Sequence, residues 1–100
     1  MDIIEVSKVL SNKTRVEILK WLKEPEKNFP PHEDLGHFND GVCVQYIRRK
    51  AGLSQSTISH YLSMMQKTNL VSPTRHGKWT YYKRVEKTVQ AYIQHLNTNL

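Results

Sequence analysis

Ala51-Gly52-Leu53-Ser54-Gln55-Ser56-Thr57-Ile58-Ser59-His60-Tyr61-Leu62 decides the fold, because two helical patterns meet inside it. Upstream, Val44, Ile47 and Ala51 fall at spacings of three and four, which predicts a helix from Val42 to Ala51 that Gly52 ends. Downstream, Ser54 offers an N-cap hydroxyl, and Ile58, Leu62 and Met65 form an apolar stripe that Leu53 and Leu70 extend. This second helix is predicted over about residues 55–68. Two helices joined by so tight a turn make a helix-turn-helix arrangement.

The face of the second helix opposite its stripe carries Ser56, Ser59, His60 and Ser63, with Gln55 and Thr57 in the first turn. It holds no carboxylate and no bulky aliphatic group. Short hydroxyl and amide groups approach base edges closely, and a glutamine can pair an adenine edge at two points. The free N–H groups at a helix start also suit a phosphate. By composition alone the face is equally an ordinary wetted surface; what flanks it turns the reading toward DNA.

After Leu70-Val71 the period shifts to two: Trp79, Tyr81 and Lys83 alternate with Thr80, Tyr82 and Arg84, residues that favour strands. A two-stranded hairpin over about 71–84 is predicted, turning at His76-Gly77, with Pro73 on an edge or at a bulge because it has no N–H to donate. The tip, Arg75-His76-Gly77-Lys78, sets two cations around a tight turn, a shape that reaches a phosphate run or a neighbouring groove. Arg48, Arg49 and Lys50, at the end of the preceding helix, complement its dipole without needing a ligand.

Farther out, Ile3, Ile4, Val6, Val9 and Leu10 suit a first helix from about Asp2 to Leu10, with Ser11 or Asn12 capping the next. Thr14–Lys23 places Ile18, Leu19 and Leu22 on one face, flanked by Val16 and Trp21, until Glu24-Pro25 stops it. Residues 24–41, with Pro25, Pro30, Pro31, Gly36 and Gly41 and the aromatics Phe29 and Phe38, read as a long loop. Val85, Val89, Tyr92, Leu96 and Leu100, with Ile93 beside them, make a closing amphipathic helix. The architecture is mainly α with a small β-hairpin.

One hundred residues suit one domain, 1–100, and a 38% hydrophobic and 24% charged chain is of ordinary globular composition. No apolar run could span a bilayer and the start lacks a signal-peptide pattern, so a cytoplasmic protein away from membranes is expected. The single cysteine, Cys43, excludes an internal disulfide. Residues 1–40 hold six basic and eight acidic side chains, whereas 41–100 hold nine basic ones against Glu86 alone. The net charge of +6 is therefore concentrated in the second part, which favours a polyanion such as double-stranded DNA.

Leu10-Ser11-Asn12-Lys13-Thr14-Arg15-Val16-Glu17-Ile18-Leu19, the 51–62 stretch, Asn69-Leu70-Val71 and Gly77-Lys78-Trp79-Thr80-Tyr81-Tyr82 together resemble the ArsR/SmtB family of winged-helix repressors over nearly the whole chain apart from 24–41. The resemblance implies a homodimer built from the first and last helices, a recognition helix in the major groove, a hairpin wing beside it, and repression relieved by an effector. The DNA-contact candidates are Ser54, Gln55, Ser56, Thr57, Ser59, His60, Arg75, His76 and Lys78; the dimer candidates are Ile4, Val9, Val89, Tyr92, Ile93 and Leu96.

Many family members bind metal through Cys-x-Cys or through Asp, His and Glu on the last helix, and this sequence departs from both. Cys43-Val44-Gln45 keeps one thiol, and His95 lacks an Asp-x-His partner. His32, His37 and Cys43, with Glu33, Asp34 and Asp40 among them, remain as metal candidates, although scattered surface residues account for them better and no cofactor is expected. Cys43 is either a thiol switch or, the favoured reading, a small buried residue. A metal- or thiol-responsive sensor and a winged helix used for contacts with protein or RNA are the alternatives. Catalysis is not expected, since nothing pairs the cysteine with a base and no phosphate-binding loop appears.

Overall fold

The computed structural model describes residues 1–100. In chain order the elements are α1 (Ile3–Val9), α2 (Lys13–Lys23), α3 (Pro25–Asn28), β1 (Val42–Cys43), α4 (Val44–Ala51), α5 (Gln55–Lys67), β2 (Val71–His76), β3 (Trp79–Arg84) and α6 (Glu86–Asn99). The strands form an antiparallel sheet in the order β1-β3-β2.

Local chemistry sets the helix ends. The Asp2 carboxylate accepts the Ile4 and Glu5 N–H groups at 3.0 and 3.2 Å, Asn12 Oδ1 accepts Arg15 N–H at 3.0 Å, and Ser54 Oγ accepts Thr57 N–H at 3.2 Å. Each satisfies a donor that the helix itself leaves free. Gly52 closes α4 with φ +68°, a left-handed conformation that costs glycine nothing, and its N–H reaches the Arg48 carbonyl at 2.9 Å. That one residue reverses the chain between α4 and α5.

The apolar stripes converge on one core. Ile58, Leu62 and Met65 of α5 are fully buried, as are Ile47 of α4 and Ile18 of α2, with Leu19, Leu22, Leu70 and Val71 closing around them. Burial of a side chain of this size contributes roughly 2 kcal/mol, so α5 is fixed by its inner face and its outer face is left to function. Arg15 is also buried. Its guanidinium donates to the Val9 and Lys8 carbonyls and stands 4.9 Å from the Tyr61 ring centre, tying the end of α1 to α5.

Four features differ from the sequence expectation. Val42 and Cys43 do not open a helix; they form β1 and pair with Tyr82 and Tyr81, so the hairpin gains a third strand and α4 starts at Val44. The 24–41 stretch is not all loop, since Pro25 starts the four-residue α3, as suits a proline in a first helical turn. His76 pairs with Trp79, which moves the wing turn to Gly77-Lys78. Pro73 does lie on the edge strand β2.

The fourth difference concerns the dimer candidates. Val9 and Val89 are core residues, 5% and 8% exposed, because α1 and α6 pack on each other and on the body of the chain. The Tyr92 hydroxyl meets Ser7 Oγ at 2.8 Å across that contact, and Tyr92 and Leu96 are half-buried. What stays open on these two helices and their ends is Met1, Ile4, Ile93 and Leu100, each about half exposed or more.

Candidate nucleic-acid interface

Gln55, Ser56, Ser59 and His60 are exposed on α5, opposite its buried stripe, and Thr57 is half-buried at their edge. Their polar atoms are already linked. Gln55 Nε2 donates to Ser59 Oγ at 3.1 Å, Gln55 Oε1 accepts from Gln45 Nε2 at 3.5 Å, and Ser54 Oγ donates to Thr57 Oγ1 at 2.9 Å with Ser56 Oγ 3.3 Å away. The glutamine amide is thus held over the first turn of α5 on an exposed side chain. A carboxylate-free face of this size can approach a polyanion without repulsion, and its amide and hydroxyl groups suit base edges.

The wing supplies charge. Arg75 and Lys78 are exposed at its tip, Arg75 Nε donating to the Gly77 carbonyl at 3.0 Å and Lys78 Nζ lying 5.1 Å from the Trp79 ring centre. His76 differs from its neighbours, because its Nε2 donates to Asp40 Oδ2 at 2.7 Å within the molecule. At the end of α4, Arg49 lies over Tyr46, and Lys50 lies 5.4 and 5.8 Å from the Trp21 and Phe29 ring centres. These cations have aromatic partners inside the fold, in keeping with a helix-end role.

Ion pairing preserves the charge asymmetry. Glu5–Lys8, Glu17–Lys20 and Glu24–Lys27 pair one turn apart within the first part of the chain. In the second part Arg84 pairs with Glu86, whereas Lys67, Arg75, Lys78 and Lys87 have no carboxylate partner.

The metal candidates do not come together, and no group of three histidine, cysteine, aspartate or glutamate side chains is arranged to hold an ion. His37 is exposed, with its Nδ1 accepting Asn39 N–H at 3.3 Å. Cys43 is buried, as the favoured reading of that residue has it. His32 is buried in an aromatic box, 4.9 to 5.5 Å from the ring centres of Trp79, Tyr46 and Tyr81. Its Nδ1 accepts Asp34 N–H at 3.2 Å, so it carries no hydrogen there, and the Tyr81 hydroxyl at 3.1 Å shares that nitrogen's single lone pair.

Burial pushes the Tyr81 phenol above its ordinary value, with smaller electrostatic contributions from Cys43, Asp34, Tyr46 and Asp40, so the hydroxyl keeps the proton it donates. Tyr82 is raised by burial in the same direction. A raised folded-state value means that the folded chain holds this proton more tightly than the unfolded chain. The stabilisation is complete below the ordinary phenol value of about 10 and is lost as pH rises through the raised one. Urea unfolding between about pH 8 and 11.5 is expected to show stability falling at the alkaline end, and Tyr81→Phe to flatten that fall while costing about 1 kcal/mol at neutral pH. Equal alkaline slopes in parent and variant would contradict this assignment.

Sequence reasoning missed two residues of this region. Gln45 touches Gln55 because the turn at Gly52 folds the start of α4 toward the start of α5, and the helix-turn-helix reading already contained that proximity. Asp40 had no such signal, since it meets His76 from 36 positions away.

No family model matches the chain. It is 44% identical over 100 residues, all of both chains, to an uncharacterized HTH-type transcriptional regulator of Bacillus subtilis, YbzH. It is 31% identical over 85 residues, 85% of this chain and 60% of the relative, to a putative arsenical resistance operon repressor, ArsR2, of Halobacterium salinarum. Among solved structures, it superposes with a TM-score of 0.66 and 22% identity on the homodimeric winged helix-turn-helix DNA-binding domain Mb0332 of Mycobacterium bovis, a possible ArsR-family transcriptional regulator, covering 96% of this chain and 76% of that one. Full-length similarity at this level settles the family, and the α4-turn-α5 unit with its three-stranded wing gives the fold: the chain belongs to the HTH-type transcriptional regulators and is folded as a winged helix-turn-helix.

Proposed function

We propose that the protein is a homodimeric, sequence-specific DNA-binding repressor that acts in the cytoplasm without catalysis and without a resident metal or cofactor. The observation that carries this reading is the exposed, carboxylate-free polar face of α5 beside the unpaired wing cations Arg75 and Lys78. In this reading α5 lies in the major groove, where Gln55, Ser56, Ser59 and His60 contact bases and Ser54 and Thr57 contact nearby phosphate. Arg75 and Lys78, with His76 between them, set the wing on the backbone or minor groove. The names of the relatives support it, because regulation and repression of transcription are acts on DNA. His32 and Cys43 are engaged in packing inside the fold, in keeping with a reading that assigns neither of them a ligand.

Dimerisation falls to α1 and α6, where Ile4 and Ile93 are open to solvent. Apolar side chains of this size left open on adjoining helices favour association. A two-fold pair would place two α5 helices about 34 Å apart, one turn of DNA. Light scattering at micromolar concentration is expected to give twice the chain mass of 11.8 kDa, and Ile4→Glu with Ile93→Glu to lower it and weaken DNA binding together. A monomeric parent that binds one half-site as tightly as a full site would overturn the dimeric reading.

A further inference from the structure

We propose that residues 29–41 form a strap that sets the position of the wing, with Asp40 as its positioning residue, so that operator affinity depends on the Asp40–His76 contact; this rests on the DNA-binding reading above. The segment is anchored at its start by the buried Phe29 ring and leaves it in extended backbone, as a residue before proline must. Pro30 and Pro31 stiffen its first part.

From there its fixed contacts land on the wing. His32 Nδ1 takes the Tyr81 hydroxyl, the Asn39 carbonyl accepts from Lys83 Nζ at 3.4 Å, Asp40 takes His76, and Gly41 lies flat against the Tyr82 backbone before β1 pairs with β3. A two-stranded hairpin is marginal in water without such support. The wing root has β1, and the His32 box packs against Tyr81 in mid-hairpin and Trp79 beside the turn. Toward the tip, Asp40 is the one side chain from outside the hairpin that hydrogen-bonds to it. An exposed hydrogen bond to a carboxylate adds little to stability, but this one joins distant segments at 2.7 Å, so its effect is geometric. It fixes where Arg75 and Lys78 stand relative to α5.

The competing expectation is that Asp40 is only a negative charge near a DNA-facing tip, in which case removing it tightens binding. Asp40→Asn removes the charge and keeps an acceptor for His76; Asp40→Ala removes both. The experiment pairs amide hydrogen exchange of the free protein with anisotropy titrations of a labelled duplex chosen by selection on the parent protein. With Asp40→Ala, amides of residues 75–79 are expected to exchange faster and duplex affinity to fall about tenfold, the scale of one charge-assisted hydrogen bond; Asp40→Asn is expected to restore both to within about threefold. Unchanged exchange at the tip, or Asp40→Ala binding as tightly as the parent or more so, would overturn the proposal. Should the parent select no duplex, the DNA-binding reading fails by itself, and the exchange data still decide whether Asp40 holds the wing.

Discussion

Gly41→Ala is expected to remove about 3 kcal/mol or more of folding stability, the largest effect of a methyl group added at any of the four glycines. Gly41 sits at φ +96°, a region that a side chain makes costly, and a Cβ there would overlap the Tyr82 carbonyl group and crowd the Lys83 side chain. Neither strain can relax alone, because the next residue, Val42, pairs with Tyr82 itself. The chain must either part β1 from β3 or shift the whole wing root. Gly36→Ala is the control: it also has positive φ, at +69°, but open space around it, so it should cost only about 1 kcal/mol. Urea unfolding of both variants checks the pair, and similar small losses in the two would mean that the strap does not press on β3.

The second large effect concerns selectivity. Gln55→Ala and His60→Ala are each expected to reduce discrimination between the preferred duplex and single-base variants by about 1–3 kcal/mol at the base pair that the side chain reads. Lys78→Ala should instead weaken all duplexes alike and lower the salt dependence of binding by about one counterion. The contrast follows from placement. Gln55 is held on α5 by Ser59 and Gln45, and Lys78 projects from the wing turn over Trp79. Competition titrations with matched and mismatched duplexes at two salt concentrations separate the two patterns. If both α5 variants bind the preferred duplex like the parent, α5 does not read bases.

Much of this architecture was legible in the sequence because it is local. Ile58, Leu62 and Met65 announce a helix by spacing alone, Gly52 announces its left-handed turn, and the alternation from Trp79 to Arg84 announces a strand. The expected wing limits, 71–84, coincide with β2 and β3. The outward face of α5 could be named for the same reason, since knowing the buried stripe fixes the opposite face.

What escaped the sequence depends on partners far along the chain. A two-residue strand has no period, so nothing in Val42-Cys43 separates it from the start of the following helix; only its pairing with Tyr82 and Tyr81 decides. His32 reads in the sequence as one of several scattered surface residues among acidic neighbours, yet Tyr46 of α4 and Trp79 and Tyr81 of β3 arrive from two later segments to bury it. Val9 and Val89 belong to stripes that promised an open interface, but α1 and α6 cover them within one chain and leave Ile4 and Ile93 outside. In each case periodicity told which face is apolar and could not tell what covers it.

The central claim is that this surface reads a DNA sequence as a symmetric pair. Selection of bound duplexes from a random library at about physiological salt tests it most directly, because charge attraction alone enriches nothing. The expected result is a two-fold symmetric site whose half-sites lie about one helical turn apart, with the strongest preferences at base pairs that Gln55→Ala relaxes. Binding without enrichment of any sequence would contradict the account and leave a basic surface that recognises charge and not bases.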